Sequence, residues 1–250
     1  MSLPVHLVPS LDGVAAGDSV TVEGDEAHHA VAVRRLRVGE SVVLTDGAGA
    51  AVTGEVAETG KRVFRVTVTA RTDDPEPTPR VTVVQALPKG ERGELAVEVL
   101  TEIGAARIVP WAASRSVAVW KGERAEKSLA KWRSTAREAA KQARRPHFPD
   151  VVAMASTADV AALIRAEADT TVAVVLHEEG AQRLGDVALP PVTRQLIVVV
   201  GPEGGLTPEE ITTFEEAGAF TVRLGAEVLR TSTAGLAAVS ALLARTPRWA

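Results

Sequence analysis

Residues 196–200 read LIVVV, five aliphatic residues with no polar alternation, and the run stops at a glycine turn, GPEGGLTPEEI (residues 201–211). A strand that is apolar at every position must be covered on both faces, which is the requirement of a parallel sheet sandwiched between helices. Near-continuous runs of β-branched and apolar residues recur at VTVVQAL (81–87), RIVPW (107–111), TTVAVVLH (170–177) and TVRL (221–224). Between these runs lie helix-like segments. ELAVEVLTEIGA (94–105) places Leu95, Val99 and Ile103 on one face, and 125–145 turns Leu129, Trp132, Ala136, Ala139 and Ala143 to one side. Strand and helix alternation from residue 81 onward predicts an α/β domain, closed by an Ala/Leu helix over 233–244.

Two glycine-bearing turns leave these strands in tandem. The first holds Gly201, Gly204 and Gly205, and a helix opens behind it at Thr207. Pro208 stands at that helix's first position and Glu210 three residues after the cap, a capping box with an N1 proline. The second follows TVRL at Gly225 and runs into a helix near residues 231–233. Turns poor in side chains let backbone approach a ligand, so neighbouring strand ends of this kind form a cleft. The plainer reading is that glycines end strands.

The first 70 residues differ. SVTVEG (19–24), SVVLTDG (41–47), AVTGEVAE (51–58) and RVFRVTVTA (62–70) alternate apolar and polar positions, with Gly and Asp at the breaks, and predict a small β-barrel. A helix-like insert, DEAHHAVAVRRLR (25–37), ends in Arg34, Arg35 and Arg37, which serve either as surface solubilisers or as RNA contacts. RTDDPEPTPR (71–80) carries three prolines in ten residues and reads as the linker, giving domains over 1–71 and 80–250.

With no cysteine, disulfides, thiolate catalysis and Cys-based zinc sites are excluded. The five histidines show no metal-ligand spacing, so no metal is expected. No apolar run reaches 18 residues and no basic-then-apolar leader precedes the first strand, so the chain reads as soluble and cytoplasmic, without a membrane partner. Net charge is −4, yet residues 114–147 hold ten Lys/Arg against three Asp/Glu. Such segregation suits a phosphate-contacting surface on an acidic protein, although a solvated helix face has the same composition. Helical spacing gathers Arg133, Arg137, Lys141 and Arg144 on one stripe.

No GxGxxG, GxxxxGK[ST] or GxSxG motif occurs, which removes the common dinucleotide, nucleotide-hydrolase and serine-hydrolase readings. What remains is a cleft built from Leu176, His177 and Glu178, from 201–205, and from 224–231. Main-chain groups at such turns suit an adenine ring and a small zwitterion better than a triphosphate. Glu203 is the one acid of the glycine loop, and helix-dipole pairing would equally explain it. Arg230 enters the last helix, and an ion-pairing surface arginine is its alternative role.

Through LPKGERGELAVEVLTEIGAARIVPW (87–111), SRS (114–116), WRSTAREAAKQARRPHFPDV (132–151), GPEGGLTPEEI and LGAEVLRTSTA (224–234), the chain resembles the RsmE-type methyltransferases of the SPOUT superfamily. The resemblance implies an N-terminal PUA-like β-barrel for RNA and a SPOUT α/β domain whose C-terminal part is a deep trefoil knot, a rare exception to unthreaded topology. It implies S-adenosyl-L-methionine as cofactor, a homodimer, and methylation of uracil N3 in the decoding region of 16S rRNA, with 16S rRNA or the small ribosomal subunit as partner. Cofactor contacts then fall on Leu176, His177, Glu178, Gly201, Glu203, Gly205, Leu224, Gly225, Val228 and Leu229. The last motif departs from the family's LG-x-R-I-L-R-T-E-T-A: Glu227 replaces the first arginine and Ser232 the glutamate, so neither family role transfers, while Arg230 is kept.

On this reading Arg230 and Glu203 are the two catalytic positions: Arg230 stabilises the uracil anion, and the N3 proton leaves either to Glu203 as base or through pK lowering by Arg230 alone. Arg34, Arg35, Arg37, Lys89, Arg92, Arg133, Lys141 and Arg145 supply RNA phosphate contacts. Two rivals stand beside it. One is a knotted ribose 2′-O RNA methyltransferase, opposed by the N-terminal barrel and by the absence of that branch's asparagine-arginine signature. The other is a non-catalytic RNA-binding ribosome-assembly factor, opposed by the intact glycines 201, 204, 205 and 225.

Overall fold

A computed structural model describes residues 3–166 and 168–249 and falls into two compact units, Met1–Glu76 with Ala140–Phe148, and Pro77–Ala139 with Pro149–Ala250. In the first unit β1 (Val5–Leu7), β2 (Ser19–Glu23), β3 (Ser41–Thr45), β4 (Ala50–Thr59) and β5 (Val63–Asp73) form a curled sheet in the order β1-β3-β4-β5-β2. All pairs are antiparallel except β1 with β3. Alternation sends Val42, Leu44, Val52, Val56, Phe64, Val66 and Val68 inward. The insert is a short helix, α1 (Gly24–His28), followed by one π-helical stretch, His29–Val33, and its Ala27 and Ala30 are buried in that core.

Residues 140–148 belong to this unit through backbone pairing: Phe148 N–H donates to Gly47 O (2.8 Å) and Gly49 N–H to Pro146 O (3.0 Å). Lys141 Nζ lies 3.1 Å from both Glu26 carboxylate oxygens, and His6 Nδ1 lies 3.2 Å from Oε1. Burial alone pushes the Glu26 carboxyl up. The hydrogen bond with His6 and the Lys141 ammonium outweigh it and hold the group at about 2.

The second unit is a seven-stranded, wholly parallel sheet in the order β10-β12-β9-β11-β6-β7-β8. Its strands are β6 (Arg80–Ala86), β7 (Arg107–Trp111), β8 (Asp150–Val151), β9 (Thr171–Leu176), β10 (Gln182–Arg183), β11 (Gln195–Val200) and β12 (Phe220–Arg223). Its helices are α2 (Arg92–Glu102), α3 (Glu123–Gln142, in this unit up to Ala139), α4 (Thr157–Arg165), α5 (Pro208–Glu216) and α6 (Thr231–Leu243). Both faces are covered, as the unbroken apolar strands require. Leu196, Val198 and Val200 of β11 join the core holding residues of α2, α3 and α6, whereas Ile197 and Val199 join the one holding residues of α4 and α5.

Three local expectations are corrected. The strands consume both ends of the proline-rich stretch, since β5 runs to Asp73 and β6 starts at Arg80. Helix α2 is rotated from the expected phase. Gly93, Ala96, Val97, Leu100 and Thr101 are buried while Leu95 is 44 % exposed. Small residues decide this face: a Cβ on Gly235 of α6 would come within 3.0 Å of Leu100 Cδ2, so the two helices pass closely. Thr101 is buried at little polar cost because its hydroxyl donates to Val97 O (2.7 Å). Finally, α3 ends at Gln142, and Arg144 lies beyond it at φ 53°, off the expected stripe.

Candidate active site

Strands β12, β9 and β11 are sheet neighbours and run parallel, with Leu176 level with both Val200 and Val222. Their C-terminal ends therefore open side by side. The turns leaving them enclose one cavity of about 880 Å³, within the size range of small-molecule sites. All ten residues expected at a cofactor border it, and so do Arg92 and Arg230.

Each turn is held by identifiable bonds. After β9, His177 N–H donates to Val222 O (2.9 Å), and its ring Nδ1 accepts from Glu179 N–H (3.2 Å). That leaves Nε2 as the proton-bearing nitrogen of the neutral ring. After β11, Gly205 adopts φ 73°, a left-handed conformation natural to glycine, and a Cβ on Gly204 would stand 2.9 Å from Arg115 O. Arg115 Nη1 donates to Leu206 O (3.2 Å) and, more weakly, to Gly204 O (3.4 Å), tying the loop together. The capping box closes as expected, Glu210 N–H donating to the Thr207 hydroxyl and Thr207 N–H to Glu210 Oε2 (3.0 Å). Glu210 is 3 % exposed, and its Oε1 also accepts from Ser114 N–H at 2.8 Å. One carboxylate thus joins the helix start to the segment that carries Arg115.

The third turn, leading to α6, is open. Val228 is 74 % exposed, and a Cβ on Gly225 would have only Glu227 Oε2 near it, at 3.6 Å. Arg230 precedes α6 and its carbonyl accepts from Thr233 and Ala234 N–H, but its side chain forms no ion pair among the described residues. Gln85, buried at the end of β6, donates through Nε2 to Thr231 O (3.3 Å) and pins the first residue of α6 to the sheet. Sequence reasoning missed Gln85 and the bonding roles of Arg115. The capping box did flag Glu210, though only for its local bond.

Glu203 is not a helix cap. Its Oε1 accepts from Lys89 N–H (3.3 Å) and lies 3.7 Å from Arg92 Nη1, so both expected RNA residues of that turn contact the glycine loop. Of the remaining RNA candidates, Arg133 Nε donates to Val151 O (2.9 Å), Lys141 is bound to Glu26, and Arg145 also has a bonded partner. Arg34, Arg35 and Arg37 are exposed in the first unit. The expected basic surface is therefore partly spent on internal contacts.

Residues 74–243 match the family model of the RNA methyltransferase domain and residues 22–69 that of the RNA methyltransferase PUA domain. The ribosomal RNA small subunit methyltransferase E of Mycobacterium bovis is 46 % identical over 93 % of this chain and 89 % of its own length. The chain belongs to the ribosomal RNA small subunit methyltransferase E family.

The Bacillus subtilis family member is 31 % identical, covering 89 % of this chain and 88 % of its own. Among solved structures, the methyltransferase E of Neisseria gonorrhoeae bound to S-adenosyl methionine superposes with TM-score 0.86 at 27 % identity, over 98 % of both chains. Lpg2936 of Legionella pneumophila, in complex with the same cofactor, gives TM-score 0.86 at 25 % identity, again over 98 % of both. The curled sheet and the parallel α/β sheet are thus those of a family enzyme, and the chain is an RNA methyltransferase.

Within this family member the cavity fits the cofactor of those neighbours. Gly225 leaves open space on one side, and the lining carries carboxylates at Glu178 and Glu227 and a guanidinium at Arg92 for a molecule carrying both charges. Ser232, which departs from the family glutamate, is 3 % exposed and lies inside the first turn of α6 rather than along the cavity wall. Among the described residues no helix is long and apolar enough to cross a membrane, and no group of three metal-ligating side chains occurs.

Proposed function

We propose that the chain transfers a methyl group from S-adenosyl-L-methionine to N3 of a uridine in small-subunit rRNA, with the donor held at the ends of β9, β11 and β12. The observation that supports this most is the convergence of all ten expected contact residues on one cavity. Bound there, the cofactor supplies an electrophilic sulfonium methyl. Backbone at Leu176–Glu178 and around Gly201, Gly205, Leu224 and Gly225 would hold the adenosine portion, with Val228 and Leu229 closing its open side.

Uracil N3 carries a proton that must leave before or during attack, and negative charge then spreads onto O2 and O4. Arg230, exposed at the rim and without an ion pair among the described residues, is assigned to stabilise that charge. Glu203 Oε1 is engaged by Lys89 N–H and Arg92, which leaves Oε2 as the atom able to take the N3 proton. Orientation of the base against the methyl group accounts for much of the rate in such a displacement. The target base is extruded from its stack to reach the cleft. In this reading Arg34, Arg35, Arg37, Lys89, Arg92, Arg133 and Arg145 are RNA-facing while Lys141 is withdrawn from the expected set by its pairing with Glu26, and the protein acts as a cytoplasmic homodimer. The trefoil knot belongs to it as well, supported by β12 lying between β10 and β9 although it follows β11 in sequence.

Nucleoside analysis of rRNA incubated with the protein and labelled donor tests the assignment. The label is expected on 3-methyluridine; label on a ribose 2′-hydroxyl supports the knotted 2′-O enzyme instead. Arg230→Ala is expected to lower kcat by about tenfold or more while changing donor affinity little. Equal losses in both would remove Arg230 from its catalytic role.

A further inference from the structure

A second cavity, of about 530 Å³, lies beside the turn from β6 into α2 and is walled by Gly93, Trp120, Arg124 and Trp132. Trp132 is 3 % exposed, and it meets Trp120 edge to face with ring centroids 5.0 Å apart and planes at 80°. Its indole N–H has no hydrogen-bond acceptor among the described residues. By contrast Trp111, equally enclosed, donates through Nε1 to the Thr157 hydroxyl at 3.3 Å. The nitrogen is not among the fully buried polar atoms left without a partner, so it reaches the cavity space and is free to donate to a carbonyl oxygen entering there. The nitrogen sits at the cavity wall, since a Cβ on Gly93 would be 2.9 Å from it.

The surroundings define what such a group is. Trp120 is half-buried, offering an aromatic surface that is still reachable, and Val117 and Val119 beside it are 61 % and 56 % exposed. Arg124 lines the cavity and forms no ion pair among the described residues, whereas Lys131 is spent on Glu94 at 3.1 Å. An aromatic face, an accessible indole N–H and a rim guanidinium together match one unstacked nucleotide: base on tryptophan, base carbonyl on the indole N–H, phosphate on arginine. Location agrees. The residues of 88–94 that border this cavity flank Arg92, which borders the donor cavity and contacts Glu203.

We propose that this cavity receives the base of a nucleotide flanking the methylation target, docked against Trp120 and Trp132 with its phosphate on Arg124. The inference rests on the RNA methyltransferase reading of the neighbouring cleft, and the experiment separates the two. Hexauridylate is titrated into the full chain while tryptophan fluorescence is followed, and donor affinity is measured by calorimetry. Wild type is expected to show quenching, and Trp120→Ala and Arg124→Ala to weaken hexauridylate binding roughly fivefold or more, the low end of the loss seen for base-on-aromatic stacking. Trp120→Phe, which keeps a stacking face, restores affinity. With an rRNA transcript, KM for RNA rises in Trp120→Ala while kcat at saturation and donor affinity stay near wild type.

Absence of quenching in wild type, or unchanged RNA affinity in both alanine variants, overturns the proposal. So does a Trp120→Ala protein that changes oligomeric state in sedimentation, because a second copy then covers the cavity. Failure of wild type to bind donor or methylate RNA refutes the neighbouring reading instead.

Discussion

Replacing Glu210 by glutamine tests how the glycine turn is held. The carboxylate is 3 % exposed and accepts from Ser114 N–H at 2.8 Å and Thr207 N–H at 3.0 Å, one bond on each oxygen. Glutamine keeps the shape but supplies one acceptor and one NH₂, so one buried amide N–H faces a donor. Hydrogen bonds to charged groups contribute ~1.5–3 kcal/mol each, and E210Q should cost about that much. E210A loses both bonds and leaves a void, for ~3–5 kcal/mol. For a cooperative unit of this size each kcal/mol lowers Tm by about 3 °C, so E210Q should melt roughly 5–9 °C below wild type. Differential scanning calorimetry of the full chain provides the readout, in the transition that saturating S-adenosylmethionine raises, which distinguishes the second unit from the first. An E210Q protein melting within about 2 °C of wild type refutes the idea that Glu210 joins the turn to the Arg115 segment.

Further outcomes follow from other sites. Glu26→Gln in the first unit removes a carboxylate held at about 2 instead of 4.5; that difference corresponds to ~3 kcal/mol at most and ~2 after allowing for solvent access. Because the folded value is depressed, the contribution is full above pH 4.5 and fades toward pH 2, so urea unfolding should show the gap to wild type closing over that window. Gly204→Ala places a Cβ 2.9 Å from the backbone oxygen of Arg115, and calorimetry should show donor affinity falling by about tenfold, as overpacking costs ~1–3 kcal/mol. Replacing Arg34, Arg35 and Arg37 together by alanine should reduce the slope of log affinity against log salt by roughly 0.7–0.9 for each phosphate that these side chains neutralise, and an unchanged slope removes them from the RNA surface.

How much of this is legible in the sequence depends on whether a residue's role is local. Apolar strands announce a doubly covered parallel sheet, because burial on both faces leaves no other composition. The Thr207–Glu210 capping box is readable because both of its bonds lie within four residues. The other bond of Glu210, to Ser114, spans 96 positions and leaves no mark in either segment. The facing of α2 is misjudged for a related reason. Leu95, Val99 and Ile103 have the right period, but close passage of α6 at Leu100 and of Trp132 of α3 at Gly93 selects a different face. Charge counting finds the basic segment and cannot foresee that Arg133 and Lys141 are taken up by Val151 O and Glu26. The candidate cleft, in contrast, is assembled from turns whose glycines and strand ends are local features, and their meeting follows from the adjacency of β12, β9 and β11.

A crystal structure of the chain with S-adenosylhomocysteine tests the central claim most directly. The ligand's adenosine should lie against the backbone of Leu176–Glu178, Gly201–Gly205 and Leu224–Gly225. Density for the ligand anywhere else, or a cleft that stays empty at saturating ligand, contradicts the claim.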